Sequence, residues 1–363
     1  MFVAWRDLRF AKGRFALMGT VIVLITLLVG LLSGLTAGLG RQNISAVTGL
    51  PADRITFAAP GDGQDLSYSD SSLTRAQVAR WAEAPGVRSA EPLGIATTKA
   101  AAGERSAGVS AFGVRPGSAL APESGRLDGR SAVLSTAAAD DLGVRAGDTL
   151  TLAGRKLTVA AVRGDASFSH TPVVWTDLST WQRTAPGDGG RPPAATVLAL
   201  RTGSGFDAAD GDAKAGTRTV TKDESLSAIG SYSSENGSLQ LMRGFLFAIS
   251  ALVIGAFFTV WTIQRSGDIA VLKALGASTA SLLRDALGQA VVLLAGGTLA
   301  GTGLAVALGA AITSSGAGVP FALSAGTVLA PAGVMIVLGA AGAALAVRRI
   351  TSVDPLTALG SVR

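Results

Sequence analysis

From Phe15 to Gly40 the chain carries no charged residue, and the same is true from Gly244 to Gln264. After Asp285 the next charge is Arg348, a run too long for a single membrane crossing. Ser314-Ser315-Gly316-Ala317-Gly318-Val319-Pro320 interrupts that run with turn-forming residues. Two helices are therefore expected within it, over 286–313 and 327–347. A hydrocarbon core of about 30 Å needs about 20 apolar residues at about 1.5 Å each, and all four runs meet that length. A cleavable secretory segment has a shorter apolar stretch, of about 7–15 residues, so Arg6, Arg9, Lys12 and Arg14 read as flanking a span. Four transmembrane helices follow, over 15–40, 244–264, 286–313 and 327–347.

Charge gives their orientation. Segments 1–14, 265–285 and 348–363 hold ten Lys and Arg against four Asp, an excess equal to the whole formal charge of +6. Segment 41–243 balances to zero, and 314–326 carries no charge. The positive-inside rule puts the amphipathic segment 1–14, the loop 265–285 and the segment 348–363 in the cytoplasm. It puts 41–243 outside, as expected of a multi-pass protein of the cell membrane. The high pI of about 10.1 thus reflects topology. No motif for reading nucleic acid accompanies it.

Residues 41–243 alternate short β-branched runs with turn residues in an α+β pattern. Strands are expected at 54–58, 87–95, 109–114, 132–135, 173–175 and 196–200, with a hairpin of 149–152 and 156–162 turning at Ala153-Gly154-Arg155. A helix over 74–84 buries Val78, Trp81 and Ala82 on one face and ends at Pro85-Gly86. The stretches 186–193 and 203–216 read as loop and flexible connector. The chain has no cysteine, so the domain must rest on its apolar core, and zinc, iron–sulfur and thiol chemistry lose their usual ligand. No metal site is expected around a single histidine. His170, the one histidine, has no recognisable catalytic partners in sequence and reads as a hydrogen-bonded surface residue.

No ionisable residue lies inside any span, where ion-coupled carriers usually place one. The chain also lacks the G-x-x-x-x-G-K-[ST] pattern, so any ATP-driven work must draw on a partner, and the chain itself is expected to be non-catalytic. The cytoplasmic loop offers a contact for one. In Arg265-Ser266-Gly267-Asp268-Ile269-Ala270-Val271-Leu272-Lys273-Ala274-Leu275, the residues Ile269, Leu272 and Leu275 recur at helical spacing. Asp268 near the start and Lys273 near the end suit the helix dipole, Gly276 suits the C′ position, and Ser278 or Thr279 can cap the next helix. Such a short amphipathic helix is either a plain connector or a docking element for an ATPase.

The run from Arg265 to Ser278 resembles the signature of the FtsX-like, MacB-type permease family of ABC transporters. The closing segment Arg348-Arg349-Ile350-Thr351-Ser352-Val353-Asp354-Pro355-Leu356-Thr357-Ala358-Leu359 is similar to that family's C-terminal motif. Pro85-Gly86-Val87 and the run from Leu142 to Asp148 resemble elements of its extracytoplasmic core domain. The resemblance implies four spans with an α+β domain inserted between the first and second. It also implies a permease homodimer with two cytosolic ATPase subunits, in which ATP-driven closure moves the outer domains by mechanotransmission. The 265–276 segment would be the ATPase contact. Gly30, Gly34 and Gly38, spaced by four, would let two first spans approach closely in the dimer.

Ser169-His170-Thr171-Pro172-Val173-Val174-Trp175 with Trp181-Gln182 is similar to a segment of the haem-exporting permeases of Gram-positive bacteria. Haem or another hydrophobic compound is then the expected cargo, with Tyr232, Glu235 and Met242 as candidate contacts on one helical face. No cofactor is expected on this chain itself, ATP being used by the partner. Two other readings stand beside this: a regulatory module activating a cell-wall hydrolase or sensor kinase, and a permease releasing lipoproteins or peptides. The topology is directly testable because introduced cysteines meet no background. In intact cells, Ser204→Cys should react with an impermeant maleimide and Ser278→Cys should not. The reverse labelling would invert the arrangement.

Overall fold

The computed structural model describes residues 12–184, 192–264, 267, 271, 276, 278–315 and 318–351. It divides into a membrane unit, Met1–Gly38 with Ser238–Arg363, and an outer unit, Leu39–Gly237.

Four helices carry stretches long and apolar enough to cross a membrane: α1 (Lys12–Thr48), α6 (Gly230–Gln264), α7 (Thr279–Ser314) and α8 (Ala325–Thr351). All but α8 begin or end well beyond the charge-free runs. The tail of α1 is polar, yet it stays helical because Ala46 and Val47 are buried in the outer unit's core. Likewise α6 starts at Gly230, and its first turns belong to the outer unit.

Within the membrane unit, Ile22, Val29, Phe258, Leu294, Met335 and Ala343 share one buried cluster. The glycine stripe of α1 is used inside the chain. A methyl at Gly30 would sit 2.8 Å from the Ala305 Cβ on α7. At Gly34 it would overlap the Phe321 ring, and at Gly38 the Pro320 backbone. The Gly34 carbonyl also accepts from the Ala322 N–H at 3.0 Å. Gly30, Gly34 and Gly38, expected at a dimer interface, have close neighbours within the single chain. Close approach of backbones is what these residues permit, but the neighbour is α7 and the 320–322 segment of the same chain.

In the outer unit the strands are β1 (Arg54–Ala58), β2 (Val87–Ala102), β3 (Arg105–Val114), β4 (Ser131–Leu134) and β5 (Thr149–Leu152). They continue with β6 (Arg155–Val162), β7 (Ser167–Phe168), β8 (Thr171–Asp177), β9 (Val197–Thr202) and β10 (Thr217–Thr221). The order is β10-β1-β9-β2-β3-β8-β4-β6-β5, and β5 also pairs with β2. The 16-residue β2 thus serves two structures. Over Val87–Leu93 it pairs with β9 in a four-stranded sheet. Over Gly94–Ala102 it pairs with β3 and closes a six-strand circuit.

Two short helices cover the four-stranded sheet, α2 (Arg75–Ala82) and α5 (Ala208–Ala215). Thr74 and Gln77 form a capping box at α2. The Trp81 ring of α2 is fully buried, donates from Nε1 to Thr217 Oγ1 at 3.0 Å, and packs over Gly211 of α5. The stretch 203–216, expected as a flexible connector, therefore holds a helix. Asp207 caps its N-terminus and Gly216 ends it in a left-handed conformation at φ 65°. The remaining helices are α3 (Thr136–Leu142) and α4 (Leu178–Thr184), the latter carrying Trp181.

Trp181 explains a glycine pair. Gly94 and Gly113 face each other across the β2–β3 ladder, and a methyl on either would collide with the indole. Gly94→Ala should destabilise the outer unit by about 1–3 kcal/mol through overpacking. Gly108→Ala, whose methyl would lie 3.9 Å from Thr171, should be nearly silent. Thermal unfolding of the two purified variants gives the comparison.

Candidate functional site

A polar cluster forms within the outer unit where the end of α1, the start of α6 and the β7–β8 hairpin meet. The hairpin pairs Phe168 with Thr171 and Ser167 with Pro172, leaving Ser169 and His170 as a two-residue turn. Both have positive φ, 49° and 63°, as tight hairpin turns demand. Non-glycine residues seldom accept that conformation, which makes the turn a place to look for function. The backbone of α1 holds it: the Ser169 N–H donates to the Asn43 carbonyl at 2.9 Å and the His170 N–H to the Gln42 carbonyl at 3.3 Å. Ser45 Oγ accepts from the Ser167 N–H at 2.8 Å and donates back to the Ser167 carbonyl at 3.3 Å.

Side chains complete the junction. Asn43 is 1% exposed, and its Oδ1 accepts from Ser231 Oγ of α6 at 2.6 Å. Ser169 and Ser231 hydroxyls are bonded at 2.9 Å. His170 Nε2 lies 2.9 and 3.0 Å from the two Glu235 carboxylate oxygens and 3.1 Å from Asn43 Nδ2. Asn43 Nδ2 is also 3.5 Å from Glu235. With Oδ1 committed to Ser231, the Asn43 amide is a donor at its other end. A proton on Nε2 makes His170 a donor to Glu235 and leaves the carboxylate as the amide's acceptor. Without that proton Nε2 accepts from Asn43 and turns a lone pair toward the carboxylate. Nearby, Arg41 pairs with Asp165 at 2.5 Å, but both side chains are largely exposed.

The expected candidates fare unequally. Glu235 is a member of the cluster. The Tyr232 side chain packs against the apolar core of the outer unit. Met242 belongs to the membrane unit and is 52% exposed. His170, without catalytic partners nearby in sequence, does have partners, brought to it from two distant stretches of chain. Asn43, Ser169 and Ser231 are invisible to sequence reading because an Asn or Ser in a polar stretch carries no spacing signal. Of the expected ATPase-contact residues, Arg265, Asp268, Ile269, Leu272, Lys273 and Leu275 lie outside the described residues. Gly276 has φ +92°, a left-handed value, and Ser278 caps α7 by accepting from the Ser281 N–H at 3.2 Å. Among the described residues no group of three or more His, Cys, Asp or Glu could hold a metal.

Residues 15–217, more than half of the chain, match the MacB-like periplasmic core domain, and residues 241–355 match the FtsX-like permease C-terminal domain. The chain belongs to the FtsX-like, MacB-type permease family. It is an ABC transporter permease, and membership implies a membrane and an ATPase partner. Among curated relatives, the chain is 26% identical over 375 residues, covering 100% of both chains, to a permease of Staphylococcus haemolyticus named for hemin transport, HrtB. It is 27% identical over 305 residues, covering 81% of each, to an uncharacterized ABC transporter permease of Mycobacterium bovis. Among solved structures, the periplasmic region of MacB from Actinobacillus actinomycetemcomitans aligns over 50% of this chain and 94% of that one, at 13% identity and a TM-score of 0.34. The extracellular domain of YknZ from Gram-positive bacteria aligns over 47% of this chain and 99% of that one, at 14% identity and 0.34.

The cluster makes a stability prediction for this permease. Asn43→Ala removes a buried amide and strands its partners, which should cost about 1–3 kcal/mol. Arg41→Ala breaks only an exposed ion pair and should change little. Denaturation of the two purified proteins checks the difference.

Proposed function

We propose that this permease is the membrane half of an exporter powered by a separate cytosolic ATPase, that two copies of each make the complex, and that haem or a similar hydrophobic compound is its cargo. One observation carries the mechanical part. Helices α1 and α6 each continue unbroken from an apolar span into residues hydrogen-bonded to the β7–β8 hairpin. A rigid helix rises about 1.5 Å per residue and carries displacement along its axis without needing a channel. ATP-driven movement at the cytoplasmic ends then becomes movement of the outer domain. The sequence lacks the G-x-x-x-x-G-K-[ST] pattern, which supports placing hydrolysis on the partner.

The cargo reading rests on the full-length likeness to the permease named for hemin transport. Glu235 and the exposed Met242 each offer a group, a carboxylate or a thioether, that could meet an iron porphyrin. In this reading, with N- and C-termini inside, the cargo would be taken from the outer leaflet and released outward.

Three experiments bear on this. The purified chain alone should neither bind nor hydrolyse ATP. Leu272→Asp would place a charge in the apolar stripe of the cytoplasmic loop, and a desolvated, unpaired charge costs several kcal/mol. Copurification with the ATPase should drop sharply, while Thr279→Ser should behave as the parent. Full coupling by a folded Leu272→Asp protein would move the contact elsewhere, with the segment after Pro355 as the next candidate. For the cargo, hemin added to the purified chain should give a shifted Soret band that weakens in Glu235→Ala and Met242→Leu. An unshifted band in the parent protein would remove haem from the proposal.

A further inference from the structure

Thr26 stands near the middle of the first apolar run and is 3% exposed, yet its Oγ1 has no hydrogen-bond partner among the described residues. Buried hydroxyls are almost always bonded, because burial strips their hydration and returns nothing unless a partner replaces it. Hydrocarbon tails cannot be that partner. Thr26 lines a cleft inside the membrane unit, together with Gly30 of α1, Thr302 of α7, and Thr327 and Pro331 of α8.

Pro331 opens a second gap in the same place. It lies within α8, and its nitrogen carries no proton, so the Thr327 carbonyl four residues earlier lacks its helical donor. The Thr327 hydroxyl, by contrast, is engaged, donating to the Ser324 and Ala322 carbonyls at 3.0 and 3.2 Å. Residues four apart share a helix face, and both 327 and 331 line the cleft. The unfilled turn of α8 therefore borders the same space as the bare hydroxyl of α1.

We infer that this cleft is a binding site for a single water molecule, which joins the Thr26 hydroxyl of α1 to the Thr327 carbonyl of α8. The room it gives to the centre of a water-sized sphere is about 10 Å³. One water needs about that much, and a larger polar ligand needs far more. A buried water makes about three hydrogen bonds, and Thr26 Oγ1, the Thr327 carbonyl and Thr302 Oγ1 are three groups at the cleft able to make them. The water donates to the carbonyl and to one threonine oxygen, and accepts from the other hydroxyl. Ordered water at a proline lets a transmembrane helix bend while its freed carbonyl stays satisfied. The first turns of α8 thus pivot against α1 on a wet joint, and neither cargo nor ATPase is needed to form it.

Thr298 supplies the control. It is 1% exposed on α7, its Oγ1 likewise has no partner among the described residues, and it is not part of the cleft lining. Threonine to valine keeps the shape and removes the hydroxyl. A bare hydroxyl is no loss, whereas one bonded to water takes a hydrogen bond with it. In reversible SDS unfolding of the full chain, Thr26→Val should lower the folded-to-unfolded ratio about two- to tenfold, and Thr298→Val should leave it level or raise it. Pro331→Ala returns an N–H to the Thr327 carbonyl, so in that background the cost of Thr26→Val should fall by at least about half on a logarithmic scale. A map of the full chain in lipid nanodiscs, fine enough to show ordered waters, should place one within hydrogen-bond distance of Thr26 Oγ1 and the Thr327 carbonyl. A Thr26→Val protein as stable as the parent overturns the site, and so does a cleft filled by an acyl chain. An equal cost of Thr26→Val with and without Pro331 overturns the bridge to α8. Should Pro331→Ala fail to fold, the map and the two valine variants decide alone.

Discussion

A hydrocarbon layer offers no partner to a backbone N–H or carbonyl, so every segment inside it must satisfy its own hydrogen bonds as a helix. Much of this protein follows from that rule. It forces the four apolar runs into helices, and it makes helix–helix contact a matter of shape, since lipid tails bury apolar side chains as well as a neighbouring helix does. Small residues then decide what touches what. Gly297 and Gly301 of α7 lie against Ile22 and the Val23–Leu27 stretch of α1, and Gly255 meets Gly342 backbone to backbone. The same rule explains why α1 and α6 do not stop at the edge of the apolar zone. A helix already wound needs only one new residue's dihedrals fixed per added hydrogen bond, so continuing into a buried domain core is favourable where starting afresh would not be.

Outside the membrane the chain depends on three separate apolar clusters, because no cysteine is available to staple it. Each cluster is organised around aromatic rings. Phe57, Tyr68 and Phe168 stack edge to face, with centroids 4.8 and 5.5 Å apart. Burial pushes the Tyr68 phenol far above its usual titration range despite its hydrogen bond to Ser225, so it is a fixed neutral wedge. Trp81 and Trp181 each lie on glycine, the one residue that leaves room for an indole face.

The spans are legible in the sequence because a soluble helix, with one face in water, rarely excludes charge over about 20 residues. The strands at 54–58 and 149–152 and the hairpin beside the latter are legible because their turns carry glycine at the required positions. What stays hidden has a common cause. The tail of α1 and the head of α6 look polar, and their helicity comes from tertiary contacts that no local pattern announces. Helix α5 is rich in Ala, Gly and Asp, so it reads as a connector, although Asp207 and Gly216 stand at its two ends as caps. The polar cluster joins positions 43, 170 and 235, and sequence separation of that order is set by topology alone. Glycine spacing in α1 correctly signals close packing but not with whom, since a four-residue repeat describes one surface and says nothing of its neighbour.

Strand β2 enters one half of the outer domain as a member of an open sheet and leaves the other half as a stave of a closed circuit. A single extended backbone has little give along its length, so twist applied to the sheet must appear in the circuit. Neither half can lose its pairing without stripping hydrogen bonds from the other, which makes them a single cooperative unit on unfolding. Gly94 sits at the crossing against the Trp181 ring, so the point where two separate folds would hinge is packed under an indole and has no room for a side chain.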